Sequence, residues 1–191
     1  MSHLWGQVMN EPVSQAAEDR QAPAAKEPIE PVLKLKFLSH GTLETRDIEF
    51  IRRFYEEFMG FEVVRPSKVS LWIRLGGQHI YAVVQVPEGK KGEMTFLNHN
   101  GVDVETDEQV NECHRLVVRD AEKWKLHKIS KPMVQHGTYS FYFWDADGNA
   151  WEILSNPPGG YCWMFERGDQ EGIGHMNRKF ERPDSTQRKT E

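Results

Sequence analysis

The sequence predicts an α+β fold of two βαβββ modules forming a cupped mixed sheet. Three observations carry this. Lys36-Phe37-Leu38-Ser39-His40 returns 59 positions later as Thr95-Phe96-Leu97-Asn98-His99, and both phrases run apolar strand residues into a histidine. Each is followed by an acidic helix start, and the first leads into an aromatic amphipathic helix. Behind each helix come short strand-like runs broken by turn residues. A four-stranded sheet with one helix cannot cover both of its faces alone, so two such halves must pair, within one chain or between chains.

The first module opens with a strand expected near Leu33–Thr42. Ile48, Ile51, Phe54, Tyr55 and Phe58 then recur at three- and four-residue steps, which puts them on one helix face. Thr45 or Asp47 caps the start, and Gly60 suits a left-handed exit. Three strands are expected at Phe61–Arg65, Val69–Leu75 and His79–Val86, with Gly76-Gly77 as a hairpin turn. The second module repeats the order. A strand is expected over Thr95–Glu105, and Thr106 with Gln109 has capping-box spacing. The helix behind them turns Val110, Cys113, Leu116 and Val117 inward. A short strand is expected near Leu126–Ile129 in a Lys-rich stretch, and a clear one at Thr138–Trp144. Asp145-Ala146-Asp147-Gly148-Asn149 is a turn, and Ala150–Leu154 is the last strand.

The 191 residues suit one domain or two small modules sharing a core. At 38% apolar and 11% aromatic the chain can bury such a core. Residues 1–31, punctuated by Pro12, Pro23, Pro28 and Pro31, read as an extended arm with a short helix near Gln15–Arg20, and 166–191 as a polar tail. That leaves a domain over 32–165, with module one at about 32–88 and module two at about 93–158. A net charge of -5 gives no electrostatic case for nucleic acid. No apolar run is long enough to cross a bilayer, and no secretory signal is visible. Two cysteines, Cys113 and Cys162, make neither a disulfide framework nor a metal spacing, and read as reduced thiols of a cytoplasmic protein.

His40 and His99 hold the same place in the two repeats. If the halves are related by pseudo-symmetry, both rings approach a common centre. A third donor stands in Ala150-Trp151-Glu152-Ile153-Leu154. Strand side chains alternate, so Trp151 and Ile153 fill one face while Ala150 and Leu154 are apolar on the other. Glu152 is then a carboxylate in a strand buried on both sides. An unpaired buried charge is costly, and a cation or a proton is the usual remedy; a wet patch or an Arg partner is the alternative. Two imidazoles and one carboxylate leave coordination positions open and suit Fe(II), Mn(II) or Zn(II). Aligning Gly77 with Gly148 makes Tyr81 the mirror of Glu152, so only one half carries the acidic donor.

In these residues and their spacing the chain resembles the vicinal-oxygen-chelate superfamily, which includes glyoxalase I, fosfomycin-resistance transferases, bleomycin-resistance proteins and type I extradiol dioxygenases. The resemblance covers about Leu33–Pro158 and rests on "SHGTLETRDIEFIRRFYEEFMGFEVV", "NHNGVDVETDEQVNECHRL" and "SFYFWDADGNAWEIL". It implies a glyoxalase/extradiol dioxygenase-like fold, with His40, His99 and Glu152 as the metal triad. It also implies a homodimer in which His40 comes from one subunit and His99 with Glu152 from the other. In the extradiol branch Fe(II) binds a catecholate and O2, and a tyrosine ten residues before the Glu helps hold the substrate oxygen. That spacing gives Tyr142, whose other reading is ordinary core. The branch also uses a second-shell acid/base histidine, where this chain has Val84. His136, in the loop entering the same hairpin, is either its substitute or a solvated loop residue.

The reading is therefore a metal-dependent enzyme acting on a small, aromatic molecule with O2, an extradiol dioxygenase of the aromatic-degrading kind. One alternative is a glyoxalase-like lyase, isomerase or thiol transferase using Mn, Zn, Ni or Co as a Lewis acid, with Arg46, Arg52, Arg53, Arg65 and Arg74 as possible anion contacts. The other is a non-catalytic binding protein of the resistance type, against which the retained triad argues. His79, His114, His127 and His175 are assigned no role, with His114 facing outward and His127 solvated. Cys162-Trp163-Met164-Phe165 is apolar for a tail and reads as terminal packing. No phosphate-cradling glycine loop is present.

Overall fold

Asp47 has the extended backbone of a helix cap, and its carboxylate accepts the N–H of Phe50. Between the two expected caps, Asp47 therefore caps the helix, while Thr45 Oγ1 accepts from the Asp47 N–H. Helix α1, Ile48–Arg53, runs directly into a π-helical turn over Phe54–Phe58. Met59 N–H bonds to the Phe54 carbonyl five residues back. Gly60 then exits at φ +71, as a residue without Cβ can.

The structure, a computed structural model, describes residues 30–89, 92–135, 137–157 and 159–168. The chain divides into two units, Met1–Lys34 and Leu35–Glu191, and the elements described here all belong to the second. The expected helix near Gln15–Arg20 and most of both expected termini lie outside the described residues.

Module one comprises β1 (His40–Thr45), α1 and its π turn, β2 (Glu62–Ser67), β3 (Ser70–Arg74) and β4 (Ile80–Gln85). Module two comprises β5 (His99–Val104), α2 (Asp107–Trp124), β6 (Met133–Gln135), β7 (Thr138–Trp144) and β8 (Ala150–Ser155). A short α3 (Cys162–Arg167) follows. Each module is a four-stranded mixed sheet, in the orders β1-β4-β3-β2 and β5-β8-β7-β6. The first strand of each module pairs in parallel with its last, and the remaining pairs are antiparallel. The βαβββ repeat read from the sequence is thus the architecture of the chain. Thr106 and Gln109 form the expected capping box at the start of α2.

Three boundaries differ from expectation. β1 starts at His40 rather than Leu33, because its only neighbour, β4, starts at Ile80, the partner of His40. β5 likewise starts at His99 rather than Thr95, opposite Ala150, where β8 begins. The strand expected at Leu126–Ile129 is reduced to a single bridge between His127 and Trp144, and the fourth strand of the module is β6. Both footholds pair with β7, so a propensity-poor stretch took the nearest edge available.

The helix-side faces of both modules share one core. Tyr55, Phe61 and Tyr81 pack around Trp151, and Phe50, Phe54 and Phe58 around Trp124. Leu43, Leu71, Ile73 and Val83 of module one join Val110, Val117, Phe141, Phe143 and Ile153 of module two in it. His114, expected to face outward, meets the Phe141 ring edge-on at 5.1 Å. No helix among the described residues is long and apolar enough to cross a membrane. Both cysteines are free.

Trp124 is 3% exposed and touches three phenylalanine rings from the other module. Trp124→Ala is expected to cost about 3–5 kcal/mol, measured by urea unfolding, and to weaken both modules in one transition because the core is common to them.

Candidate active site

Alternation decides which face carries chemistry. On β8, Trp151 and Ile153 enter the shared core, so Ala150, Glu152 and Leu154 lie on the opposite face. Glu152 pairs with Gly101 on β5 and with Tyr142 on β7. His99 is two residues before Gly101 on the same face. One stretch of sheet therefore assembles His99, Glu152 and Tyr142 from three adjacent strands.

Glu152 is 2% exposed. Its Oε2 lies 3.1 Å from His99 Nε2, and the imidazole side chain is the more open of the two. The other ring nitrogen, Nδ1, lies 2.7 Å from the Phe96 carbonyl. A carbonyl only accepts, so Nδ1 carries a proton; Nε2 is then a lone pair in the neutral ring and an N–H donating to the carboxylate in the charged ring. Two acceptors facing each other at that distance require a cation between them, either a proton or a metal ion. The residues present therefore fit a divalent metal.

The electrostatics agree. The bond to Glu152 raises the His99 pKa against the desolvation that lowers it. Burial pushes Glu152 up, but bonds from His99, Ser140 and Tyr142 together outweigh it and hold its carboxyl below the usual value. Tyr142, 2% exposed, has its phenol pushed far up, first by burial and then by the neighbouring Glu152 carboxylate. It is a neutral hydrogen-bond donor at any ordinary pH. Phe96 lies over it with ring centroids 4.6 Å apart, and the His99 ring meets it edge-on at 4.9 Å. Tyr161, just before α3, has its phenol raised to about 12 by burial and by Glu152, and it hydrogen-bonds Thr138 and Asn156.

His40 is elsewhere. It is exposed at the first position of β1, with Nδ1 2.8 Å from Ser39 Oγ. Leu43 and Thr45 on the same strand are buried toward the shared core side, so His40, Thr42 and Glu44 occupy the opposite face. Each module thus turns its histidine-bearing face away from the common core. Among the described residues no three His, Cys, Asp or Glu side chains converge as a metal site; the structure brings together His99 and Glu152. His136 lies outside the described residues. His127, expected to be solvated, is 41% exposed and meets Glu93 at the surface at 2.9 Å.

Strand register also corrects the mirrored position. His99 pairs with Ala150 as His40 pairs with Ile80, so Glu152 corresponds to Ala82, not Tyr81. Tyr142 then corresponds to Trp72, since each lies directly opposite those residues. The β3–β4 and β7–β8 hairpins are equal in length, but Gly77 stands one position earlier in the first than Gly148 does in the second, so aligning the glycines shifts the register by one. Module one still lacks a carboxylate at this place. Sequence reasoning missed Gln135 and Ser140, both buried beside Glu152. Alternation along β7 placed Ser140 on the Tyr142 face, but β6 carried no signal of its own.

No family model matches the sequence, and no curated protein does. Solved structures do match. A possible glyoxalase from Bacillus cereus aligns over 63% of this chain and 99% of its own, with 21% identity and a TM-score of 0.52. A glyoxalase/dioxygenase from Nostoc punctiforme aligns over 68% and 99%, with 20% identity and a TM-score of 0.53. The fosfomycin resistance protein FosX from Listeria monocytogenes aligns over 65% and 96%, with 22% identity and a TM-score of 0.51. At these identities the likeness is one of fold. The chain shares the paired-module fold of these glyoxalase-like structures.

In metal-free protein the raised His99 pKa stabilises the fold below about 6.5 and loses that effect as pH rises through its folded value. The lowered Glu152 pKa stabilises above about 4.5 and loses it as pH falls. The pair therefore contributes most between those limits. Glu152→Gln is expected to lower the His99 pKa, read from its ring-proton titration by NMR, and to flatten the stability profile on the alkaline side.

Proposed function

We propose that this chain is a divalent-metal-dependent enzyme of the vicinal-oxygen-chelate type, working as a homodimer on a small molecule that presents two neighbouring oxygens. The observation that carries the reading is the His99–Glu152 pair: an imidazole nitrogen and a buried carboxylate oxygen 3.1 Å apart, with the other ring nitrogen held on the Phe96 carbonyl. His40 of a second copy supplies the third donor. The back-to-back packing of the modules supports this, because it keeps His40 off the Glu152 face of its own chain. When bound, the metal supplies Lewis acidity and, as Fe(II), redox chemistry toward O2.

The protein residues do the rest. Tyr142, held neutral, donates a hydrogen bond to a substrate oxygen that gains negative charge. Phe96 shields that contact from water. On module one, Trp72 takes the place Tyr142 has on module two and borders an open hollow of about 300 Å³ with Val64 and Ile80. An indole facing a phenol across the site suits a flat substrate. The finer reading is an Fe(II) extradiol dioxygenase acting on a catechol-like ring, supported by Tyr142 ten residues before Glu152 and in contact with it. Val84, apolar on the His40 face, favours the second reading: Lewis-acid chemistry of the lyase, isomerase or thiol-transferase kind with Mn, Zn, Ni or Co. His136 is the proposed proton carrier in either.

Two measurements test this. Anaerobic Fe(II) loading followed by catechols and air is expected to consume O2; turnover of a thiol adduct without O2 would select the second reading. Inactive His40→Ala and Glu152→Gln proteins, unfolded together and refolded as a mixture, are expected to regain about a quarter of wild-type activity, since half the dimers carry one intact site of two. No recovery would mean the donors do not meet across copies.

A further inference from the structure

Glu152 has two carboxylate oxygens, and only Oε2 faces His99. The other, Oε1, lies 3.4 Å from Nε2 of Gln135. Gln135 ends β6 and is 2% exposed. Its amide nitrogen is 3.2 Å from Ser140 Oγ and makes its closest bond to Tyr142 Oη. A buried carboxamide must place its N–H groups on acceptors. Here every acceptor it reaches belongs to the Glu152 end of the site.

The root of this side chain is also held. Gln135 pairs with Thr138 across a tight hairpin, and Thr138 Oγ1 donates to the Gln135 carbonyl at 3.2 Å. The amide is thus delivered from a short, tied strand and not from a free loop.

Resting on the metal reading above, we propose that Gln135 is a positioning residue for the metal donors: its amide ties down Tyr142 and Glu152 Oε1 so that Oε2 stays turned toward His99. A carboxamide suits this task because it donates without charge. Arg or Lys at this place would neutralise the carboxylate and compete with the cation. A neutral donor satisfies one oxygen and leaves the negative charge for the metal. It also couples phenol to carboxylate, since one nitrogen reaches both. Groups behind metal ligands orient them, and losing one typically weakens metal binding by roughly 10–100-fold.

The test is Co(II) titration of the full chain, followed by calorimetry and by the d–d absorption bands, alongside thermal unfolding of the metal-free proteins. Gln135→Met keeps length and bulk but removes the donors. It is expected to bind Co(II) roughly 10–100-fold more weakly, with shifted bands as Glu152 is released. Val134→Ala, on the exposed face of the same strand, is expected to bind as wild type does. Gln135→Leu serves if the Met variant does not unfold cooperatively. A folded Met or Leu variant with affinity within twofold of wild type and unshifted bands overturns the inference and leaves the metal reading standing. Wild-type protein that takes up no Co(II), Fe(II) or Mn(II) overturns that reading, and the role of Gln135 with it.

Discussion

The buried carboxylate of Asp145 is the joint on which the rest of this structure depends. Its Oδ1 accepts the backbone N–H groups of Asp147 and Asn149, closing the turn between β7 and β8. Its Oδ2 accepts from the Asn149 side chain, from Trp151 Nε1 in module two and from the Tyr55 hydroxyl in module one. Burial raises its pKa, and hydrogen bonds from Asn149 and Trp151 oppose that rise. Next to it, Asp147 takes the Thr45 hydroxyl together with the backbone N–H and Nε of Arg46. One turn of module two thus holds the end of β1 and the helix face of module one against itself.

That joint determines what the sheets can do. Because Tyr55 and Trp151 meet through Asp145, the helix-side faces of the modules are the ones that pack together. The faces left over carry His40 in one case and His99 with Glu152 in the other. The proposed site, built from both, therefore draws on a second copy of the chain. The two outer faces differ in their cover: Trp72 on the His40 face is 49% exposed, whereas its counterpart Tyr142 is buried beneath Phe96 and bonded by Gln135.

Much of the fold was legible because it rests on local rules repeated twice. The aromatic helix face, the capping box at Thr106, the glycine exit at Gly60 and the alternation around Glu152 each state their structure within a few residues. Strand starts were less legible, since an apolar run such as Leu33–Phe37 becomes a strand only beside a partner, and β4 begins at Ile80. β6 was missed for the same reason: Met133–Gln135 is three residues long and is defined by its edge on β7. Gln135 therefore escaped notice, although its burial makes it central to the carboxylate.

By itself the sequence determined the order of elements, the placing of a histidine at the head of each module, and a carboxylate in a strand apolar on both faces. These follow from periodicity, which acts between near neighbours along the chain. Tertiary structure alone decided which donors meet, because that depends on which sheet faces are spent on the common core. It aimed His99 Nε2 at Glu152 through a carbonyl three residues away, set Ala82 rather than Tyr81 in the place of Glu152, and turned His40 to the far side. Each of these is a matter of register and packing between segments far apart in the chain, and no local pattern encodes it.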